Sequence, residues 1–190
     1  MAVRIWFALA LLAGACGTAV ADDAASHKVE CGTLDFAFAP VQDSDEAYCY
    51  RFNYSEATGS DGIAEYSAVY EHMLVYQGAE VIRITSGRAV ENVYFTQKPL
   101  RGYIKEFDEL SDVGNWSADE DYGDYTVARF DAKLDDEPAA CYGFMAMGGN
   151  VINARGSVAG PGSFMVGYDC QFGTGKLSRS LIEHTLSEIE

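Results

Sequence analysis

Residues 47–54 of this 190-residue chain read AYCYRFNY, and they are the clearest strand pattern in the sequence. Every second position is aromatic: Tyr48, Tyr50, Phe52 and Tyr54. The positions between them hold Cys49, Arg51 and Asn53. A period of two is typical of a β-strand with one apolar face, which we expect to pack against a core while the tyrosine hydroxyls reach water. Stacking of this face on a sugar or a partner is the alternative.

Short alternating or apolar runs predict further strands on both sides of this one. They lie at residues 32–38, 81–85, 90–96, 125–134, 141–147 and 163–170. Turns are expected at Gly87, at residues 135–138, which read DDEP, and in the glycine-rich connection 148–162. Residues 111–124 carry turn-forming and acidic residues and predict a long surface loop. Neighbouring runs therefore predict hairpins and an antiparallel sheet.

The end of the chain predicts a helix over residues 178–189. Ser178 has a side chain that can cap the first turn. Leu177 and Ile182 have the spacing of a hydrophobic staple, in which the residue before the cap packs against the fourth helical residue. The apolar positions that follow are typical of a helix with one buried side.

Residues 63–76 fit two periods at once. One helical face would carry Ile63, Tyr66, Tyr70 and Met73, with Asp61 as the cap. The same residues also alternate as a strand, and we favour the helix. Residues 104–110 predict one or two helical turns. The predicted fold class is α+β: mainly antiparallel β-sheet with a C-terminal helix and one or two further short helices.

Residues 1–21 have the three parts of a secretory signal peptide. Arg4 supplies a positive charge, residues 5–15 form an apolar run, and residues 19–21 read AVA, with small residues at the positions that signal peptidase recognises. The apolar run is about half of the roughly 20 residues that a transmembrane helix needs. We therefore predict a protein of the periplasm or the extracellular medium with no transmembrane segment.

Cys16 provides an alternative end to the signal. Residues 12–16 read LAGAC and resemble a bacterial lipoprotein signal, in which the cysteine becomes the acylated first residue. The match is incomplete, because Ala13 rather than Leu12 lies three positions before the cysteine. In this alternative a lipid anchors the protein to the envelope, and residues 17–27 form a flexible tether. Otherwise Cys16 is removed with the signal.

Cleavage after Ala21 leaves 169 residues, a length typical of one domain. We expect residues 22–30 to be a flexible leader and residues 31–190 to form a single disulfide-stapled domain. Cleavage also removes Arg4, the only charged residue of the signal, and changes the net charge from −16 to −17. Such acidity argues against nucleic acid and anionic membranes as partners. It permits attraction to a cationic protein partner, but we favour solubility as the reason for the high net charge.

Cleavage after Ala21 also leaves four cysteines: Cys31, Cys49, Cys141 and Cys170. An even number behind an export signal predicts two disulfide bonds formed in an oxidising compartment. Four cysteines allow three pairings, and sequence alone selects none of them. We favour the pairs Cys31–Cys49 and Cys141–Cys170, because the members of each pair belong to neighbouring predicted elements. The chain has no CxxC spacing of the kind that redox enzymes use.

Motifs for catalysis and for cofactor or metal binding are all incomplete. The acidic loop 119–124 lacks the glycine and glutamate that an EF-hand starting at Asp119 needs, which leaves a solvated loop or a looser calcium site. Residues 173–176, GTGK, lack the rest of a phosphate-binding loop, and residues 160–164, GPGSF, depart from the GxSxG pattern. The three histidines, His27, His72 and His184, lack partners at metal-ligand spacing. We predict no catalytic residue, cofactor or metal.

The last third of the chain combines cysteines, glycines and aromatic residues in a loose frame. The frame consists of Arg129, Phe130, Cys141, Phe144, the run GYDC at residues 167–170, Gly175 and Leu177. A short amphipathic helix follows it. Over about residues 125–190, this frame resembles a group of small exported proteobacterial proteins of unknown function. The resemblance implies a bacterial periplasmic setting and a compact mixed fold, and it implies no activity.

These observations predict an exported protein with a non-catalytic binding or envelope-associated function, rather than an enzyme. One alternative is an acidic, inhibitor-like protein that captures a cationic partner such as a lysozyme. Another is a hydrolase whose site is assembled only in three dimensions, because catalytic triads are defined by geometry rather than by sequence order.

Overall fold

The computed structural model describes residues 26–56, 65–89, 94–152, 156–173, 175 and 177–189. Nine strands in these ranges form one antiparallel sheet: β1 His27–Val29, β2 Glu46–Glu56, β3 Glu65–Gln77, β4 Glu80–Ala89, β5 Leu110–Gly114, β6 Glu120–Tyr122, β7 Tyr125–Leu134, β8 Glu137–Ile152 and β9 Val158–Phe172. The α-helices of the described residues are α1 Leu100–Ile104 and α2 Arg179–Ser187. The predicted α+β class, mainly antiparallel sheet with a C-terminal helix, is confirmed.

The sheet consists of two meanders that meet at its centre. Strands β2, β3 and β4 pair in sequence order, and so do β7, β8 and β9. The meanders join where β4 pairs with β9, with Ile84 opposite Gly167. β1 pairs with β2 at one edge, while β5 and β6 both pair with β7 at the other. The central pairing therefore brings residues about 80 positions apart in the chain into direct contact.

Both faces of the sheet are apolar, because side chains alternate along each strand and helices cover both sides. On the α2 face, Ile182 and Leu186 of α2 belong to one buried cluster with sheet residues that include Met73, Ile84, Tyr142 and Phe144. On the α1 face, Leu100 and Ile104 of α1 belong to a second cluster with Ala128, Phe130, Cys141 and Tyr168. The sheet is thus the middle layer between two cores.

Each face also carries one disulfide bond. Cys31 bonds to Cys49 of β2, which is buried on the α2 face, with a Cα–Cα distance of 5.2 Å. Cys141 and Cys170 lie directly opposite each other on β8 and β9, with a Cα–Cα distance of 4.1 Å, and both are buried on the α1 face. These are the two pairs that neighbouring elements predicted.

The helix predicted over residues 63–76 is wrong, because Glu65–Gln77 forms the strand β3. β3 pairs along nearly its whole length with β2 on one side and β4 on the other. Its apolar positions pack on both faces of the sheet, so the sequence lacks the polar face that would have marked a strand of period two. The proposed cap, Asp61, lies outside the described residues.

The strand predicted at residues 32–38 is also wrong. Cys31–Thr33 forms a short 3₁₀ turn, and the segment that follows is irregular up to an isolated bridge between Phe38 and Ile189. Phe36 and Phe38 are nevertheless buried on the α2 face, which explains why the pattern resembled a strand. The strand beside β2 is β1, which lies within the stretch 22–30 that the sequence predicted as a leader.

Two turns that were predicted from their glycine residues are wrong. Gly87 lies inside β4, and the connection predicted at residues 148–162 belongs largely to β8 and β9. Three other predictions differ from the structure. Of the strand predicted at residues 90–96, the described part has no regular structure, and neither do the residues that follow up to 99. The helix α1 ends at residue 104, where the predicted helical turns of 104–110 would start, and the predicted loop 111–124 contains β6 and most of β5.

The C-terminal helix has the start that the sequence predicts. Ser178 is the N-cap, and its hydroxyl accepts a hydrogen bond of 3.2 Å from the Leu181 N–H. Leu177 and Ile182 are both buried on the α2 face, in keeping with a hydrophobic staple. Neither helix within the described ranges is long and apolar enough to cross a membrane. The predicted signal, including Cys16, lies outside the described residues.

Candidate functional site: an aromatic cleft

An open cavity of about 430 Å³ lies on the α1 face. Strands β2, β3, β4 and β9 form its floor, and residues 95–107, which include α1, form a wall. Six lining residues are aromatic: Phe52, Tyr70, Phe95, Tyr103, Phe107 and Phe164. The polar lining residues are His72, Arg83, Thr85, Thr96, Lys98 and Glu106. We call this cavity the aromatic cleft.

The strand register arranges the floor of the aromatic cleft in two rows. One row consists of Phe52, Tyr70, Gly87 and Phe164. The next row consists of His72, Thr85 and Val166. Each row runs across the strands, so its members come from both meanders and are neighbours only because β4 pairs with β9.

Gly87 makes room for a ring in the floor. A Cβ atom at this position would lie 2.3 Å from Cε1 of Phe164, so any other residue would displace the Phe164 ring. Phe164 also meets Phe95 edge-on with 4.9 Å between ring centroids, and it lies 5.8 Å from Tyr103. The glycine predicted as a turn is therefore a packing position that lets β9 place an aromatic ring over β4.

The rings of the cleft offer partly exposed flat surfaces. Phe52 is parallel to Tyr70, with centroids 4.9 Å apart, and it stacks on His72 at 5.1 Å. Phe52, Tyr70, Phe95 and Tyr103 are half-buried, whereas Phe164 is buried beneath them. Half-buried rings around an open cavity can pack against an apolar or ring-bearing ligand, which gains affinity by removing their surfaces from water.

His72 is a neutral hydrogen-bonding group in the cleft. Its Nδ1 lies 2.9 Å from the Thr85 hydroxyl. Burial, followed by the positive charge of Arg83, lowers the pKa of His72 from 6.5 to about 4. The imidazole is therefore uncharged at neutral pH, and it adds polarity to the floor without adding charge.

Arg83 is held at one side of the cleft. Its Nη1 donates to Glu109 at 2.6 Å, and the Tyr168 hydroxyl donates to the same carboxylate oxygen at 3.0 Å. The guanidinium carbon lies 5.3 Å from the centre of the Phe107 ring. Arg83 Nε is buried, and no described residue accepts a hydrogen bond from it.

Lys98 supplies a second cation at the solvent side of the cleft. Its Nζ donates to Glu106 at 2.7 Å and lies 5.6 Å from the centre of the Tyr103 ring. Both Lys98 and Glu106 are exposed. Because an exposed pair is held weakly, Lys98 is free to exchange partners, whereas Arg83 is fixed by its surroundings.

The α2 face also contains buried ionisable groups, but they form a closed cluster. Asp169 is 0 % exposed, and neither of its carboxylate oxygens has a hydrogen-bond donor within the described structure. Burial, followed by the charge of Glu80, raises the pKa of Asp169. Burial and Asp169 likewise raise the pKa of Tyr142. Asp169 and Tyr142 lie beneath α2, and no cavity described on this face is lined by either of them.

The acidic loop proposed for calcium has other partners. Asp119 lies 3.5 Å from Arg101, and Glu120 forms an ion pair with Arg129. Nowhere in the described ranges do three His, Cys, Asp or Glu side chains come together in an arrangement that could hold a metal ion. The calcium alternative therefore has no support from the geometry of this loop.

The remaining candidate residues are scattered. His27 is exposed on β1, and His184 lies on α2, 3.7 Å from Glu188. Residues 160–164 run inside β9, and Thr174 and Lys176 of the GTGK run lie outside the described residues. Of the three histidines, His72 alone lines the aromatic cleft.

Sequence reasoning missed this cleft, although one signal was present. Residues 48–52 carry aromatic side chains at alternate positions. If residues 65–77 are taken as a strand, Tyr70 and Tyr76 also lie on one face of it, because alternate residues of a strand share a face. The prediction of a helix hid that pattern. Residues 95–107 show no comparable pattern, because their rings reach the cleft from an irregular segment and a short helix.

Comparisons of this chain with family models, with curated proteins and with solved structures found no match. The proposals that follow therefore depend on the geometry of the chain itself.

Proposed function

We propose that this protein is an exported, non-catalytic binding protein that holds a small apolar, ring-bearing molecule in the aromatic cleft. The observation that carries the proposal is the set of half-buried rings around an open cavity of about 430 Å³. Ligand sites in proteins are typically cavities of this size with aromatic walls and few polar groups. The neutral His72 and the paired Arg83 add such groups without a large net charge.

Binding is better supported than hydrolysis. The cleft does bring a histidine beside a hydroxyl, as a nucleophile and its base would require. Thr85 is only 7 % exposed, however, and it lies in the floor rather than at an accessible point. A pKa of about 4 also makes His72 a weak base at neutral pH. The His72–Thr85 pair is therefore better suited to hydrogen bonding than to activating a nucleophile.

The test of this function is binding of N-phenylnaphthylamine, a neutral probe whose fluorescence rises in apolar sites. We expect saturable binding that weakens about tenfold in Phe95→Ala, because an aromatic contact contributes about 1 kcal/mol or more. The matched control is Phe172→Ala, which also removes a half-buried phenylalanine on the α1 face but does not line the cleft. Equal binding by both variants, or no binding at all, would contradict the proposal.

The proposed location rests on the predicted signal over residues 1–21 and fits two disulfide bonds. Expression of the full chain in a bacterium with an outer membrane, followed by intact mass measurement, tests it. We expect the mass of residues 22–190 less four hydrogens. A chain that starts at an acylated Cys16 would instead show the lipid-anchored form, and a retained signal would contradict export.

A second candidate function is capture of a cationic protein, which a depression of about 550 Å³ beside α2 favours. Asp43, Glu80 and Glu188 line it. Binding of a lysozyme should then weaken steeply between about 50 and 500 mM salt, because charge attraction is screened. The double variant Asp43→Asn, Glu188→Gln should lose the same binding. A salt-insensitive or absent interaction would rule this function out.

A further inference from the structure

The hairpin formed by β8 and β9 extends beyond the strands that flank it. The pairing of β7 with β8 reaches Met145, and the pairing of β4 with β9 reaches Ser163. Beyond those points, residues 149–152 of β8 continue opposite residues 158–162 of β9. We call these two stretches the hairpin arm.

Exposed apolar side chains gather at the hairpin arm. The large hydrophobic residues that are exposed in the described ranges are Val158, Ile152 and Tyr94, at 61 %, 53 % and 49 %. Ile152 and Val158 lie opposite each other in the arm. Tyr94 lies beside it, because a Cβ atom on Gly160 would be 2.6 Å from Cδ2 of the Tyr94 ring. Single exposed apolar residues are ordinary on a protein surface, whereas a group of them indicates contact with something other than water.

The end of the hairpin arm is apolar on both faces of the sheet. Ile152 lies opposite Val158, and Val151 lies opposite Gly160. Consecutive residues of a strand point to opposite faces, so Val151 and Ile152 lie on different sides. Tyr94 is on the side of Val151, since a side chain on Gly160 would meet its ring. A flat protein surface covers one side of such an arm, whereas a medium that surrounds its end covers both.

Acidic residues are absent from the same part of the chain. Residues 138–168 contain no Asp or Glu, although the chain has 29, and Arg155 is their one charged residue. This is the longest stretch of the sequence without an acidic residue. Transfer of a carboxylate from water to an apolar medium is costly. The described part of the arm carries no charged side chain, so it can enter an apolar medium without that cost.

We infer that the hairpin arm inserts into the surface of a lipid membrane with zwitterionic headgroups. Ile152 and Val158 then contact acyl chains, and Tyr94 lies at the level of the headgroups, where tyrosine is common. Insertion stops in the interfacial region, because the outer edges of a two-stranded arm have backbone groups that need water. The net charge of −16 keeps the rest of the molecule in water and repels it from anionic lipids.

This membrane contact is separate from the proposed function. Tyr94, Ile152 and Val158 do not line the aromatic cleft. Binding of N-phenylnaphthylamine without lipid should therefore be unchanged in variants of Ile152 or Val158. Failure of the cleft to bind that probe would leave the membrane inference standing.

Flotation with phosphatidylcholine vesicles tests the inference, using exported protein whose intact mass shows no acyl chain. Val158→Ser should weaken vesicle binding about fivefold, because an aliphatic side chain no longer leaves water. Val113→Ser is the matched control: it makes the same change on β5, which pairs with β7 near residues 131–134, and it should not alter binding. Phosphatidylglycerol in the vesicles should weaken binding at low salt and less so at high salt.

A tryptophan at the end of the arm reports insertion directly. Trp116 is the only tryptophan after residue 21, so Trp116→Phe combined with Ile152→Trp leaves one indole there. We expect its emission to shift to shorter wavelength on vesicles and to be quenched by brominated phosphatidylcholine. Trp116→Phe combined with Val113→Trp is the control and should show no quenching. This readout also holds for protein acylated at Cys16, because an indole that stays in water is not quenched.

Three outcomes would overturn the inference. The first is equal vesicle binding by non-acylated wild type and Val158→Ser, or no quenching in the Ile152→Trp variant. The second is a dimer, seen by sedimentation without lipid, that Val158→Ser dissociates, since it would assign the arm to a second copy of the chain. The third is tighter binding to vesicles that contain phosphatidylglycerol, which would show that charge attraction rather than apolar insertion holds the protein there.

Discussion

The two faces of the central sheet differ in how completely they are covered. On the α2 face, the helix and residues 36–43 pack over the strands, and Glu71, 2 % exposed, has its acceptors filled by Arg51 and the Asp35 N–H. On the α1 face, the five residues of α1 cover one end only and leave the aromatic cleft beside it. We call the α2 face the closed face because its strands are packed under α2 and residues 36–43, although a depression of about 550 Å³ lies beside α2. The closed face contributes stability, whereas the α1 face, which we call the open face, retains aromatic surface for a ligand.

This comparison also separates the roles of polar groups. On the closed face they hold segments together: the Glu71 carboxylate ties β3 to β2 through Arg51 and to the chain at Asp35. On the open face, His72 and Arg83 border a cavity, and Arg83 Nε has no acceptor among the described residues. Substitutions on the α2 face should therefore change the free energy of unfolding, and substitutions in the cleft should change binding.

The largest effect is expected from Arg51→Met on the closed face. This change leaves the buried Glu71 carboxylate without its charged partner, and breaking such a pair costs about 4 kcal/mol. Arg88→Met is the matched control, because Arg88 pairs with Asp35 at the exposed surface and such pairs contribute about 1 kcal/mol or less. Urea unfolding of both variants measures the difference, and equal losses would show that the Glu71 pair is not a structural tie.

The next largest effect is expected from Ile182→Ala in α2. Ile182 is 0 % exposed, and truncation of a buried isoleucine to alanine costs about 3.5 kcal/mol through lost burial and the cavity left behind. Binding of N-phenylnaphthylamine by the folded variant should be unchanged. Phe95→Ala should show the reverse, with a smaller loss of stability and weaker binding. Loss of probe binding in the folded Ile182→Ala variant would contradict the conclusion that the α2 face affects stability and the cleft affects binding.

The free energy of unfolding should decrease in acid because of His72, which lies in the aromatic cleft. The pKa of His72 is about 4 in the folded protein and 6.5 in an unfolded chain, so this contribution is complete above pH 6.5 and falls as the pH decreases towards 4. Relative to His72→Gln, wild type should lose about 3 kcal/mol between pH 7 and pH 4. Denaturant titrations at each pH measure this loss. An NMR titration that gave an imidazole pKa near 6.5 would contradict it.

Asp169 on the α2 face should make the free energy of unfolding depend on pH in the opposite direction. Its pKa is raised, so the protonated form is favoured by folding, and this contribution is present in acid and falls as the pH rises. Asp169→Asn replaces the acid with a neutral group of similar shape. The variant should match wild type within about 1 kcal/mol near pH 4 and gain relative stability as the pH increases. A constant difference across the pH range would show that Asp169 is not protonated in the folded protein.

Several elements of this fold were predictable because neighbouring residues determine them. The alternation in residues 46–56 and 125–134, the cap at Ser178 and the two disulfide pairs all depend on residues close in sequence or on adjacent elements. Residues 65–77 were misjudged, because a strand with apolar side chains on both faces lacks the polar face that would have favoured the strand over the helix.

The cleft was not predictable, because its parts come from distant segments. Phe52, Tyr70 and Phe164 become neighbours through strand pairing, and the rings of residues 95–107 reach them from an irregular segment. Each of these residues is ordinary in its own stretch of sequence. A ring that packs in a core and a ring that lines a site produce the same local pattern.

The class of the fold and the C-terminal helix follow from the residue pattern alone, which also favours the two disulfide pairs and predicts export from residues 1–21. Local rules of periodicity and capping suffice for the fold class and the helix, whereas the cysteine pairing was selected by the strand pairing of the structure. The pairing of β4 with β9, the position of Gly87 under the Phe164 ring and the place of Arg83 in the lining of a cavity came from the folded structure. Those features depend on contacts across the whole chain, which the spacing of residues along the chain does not encode.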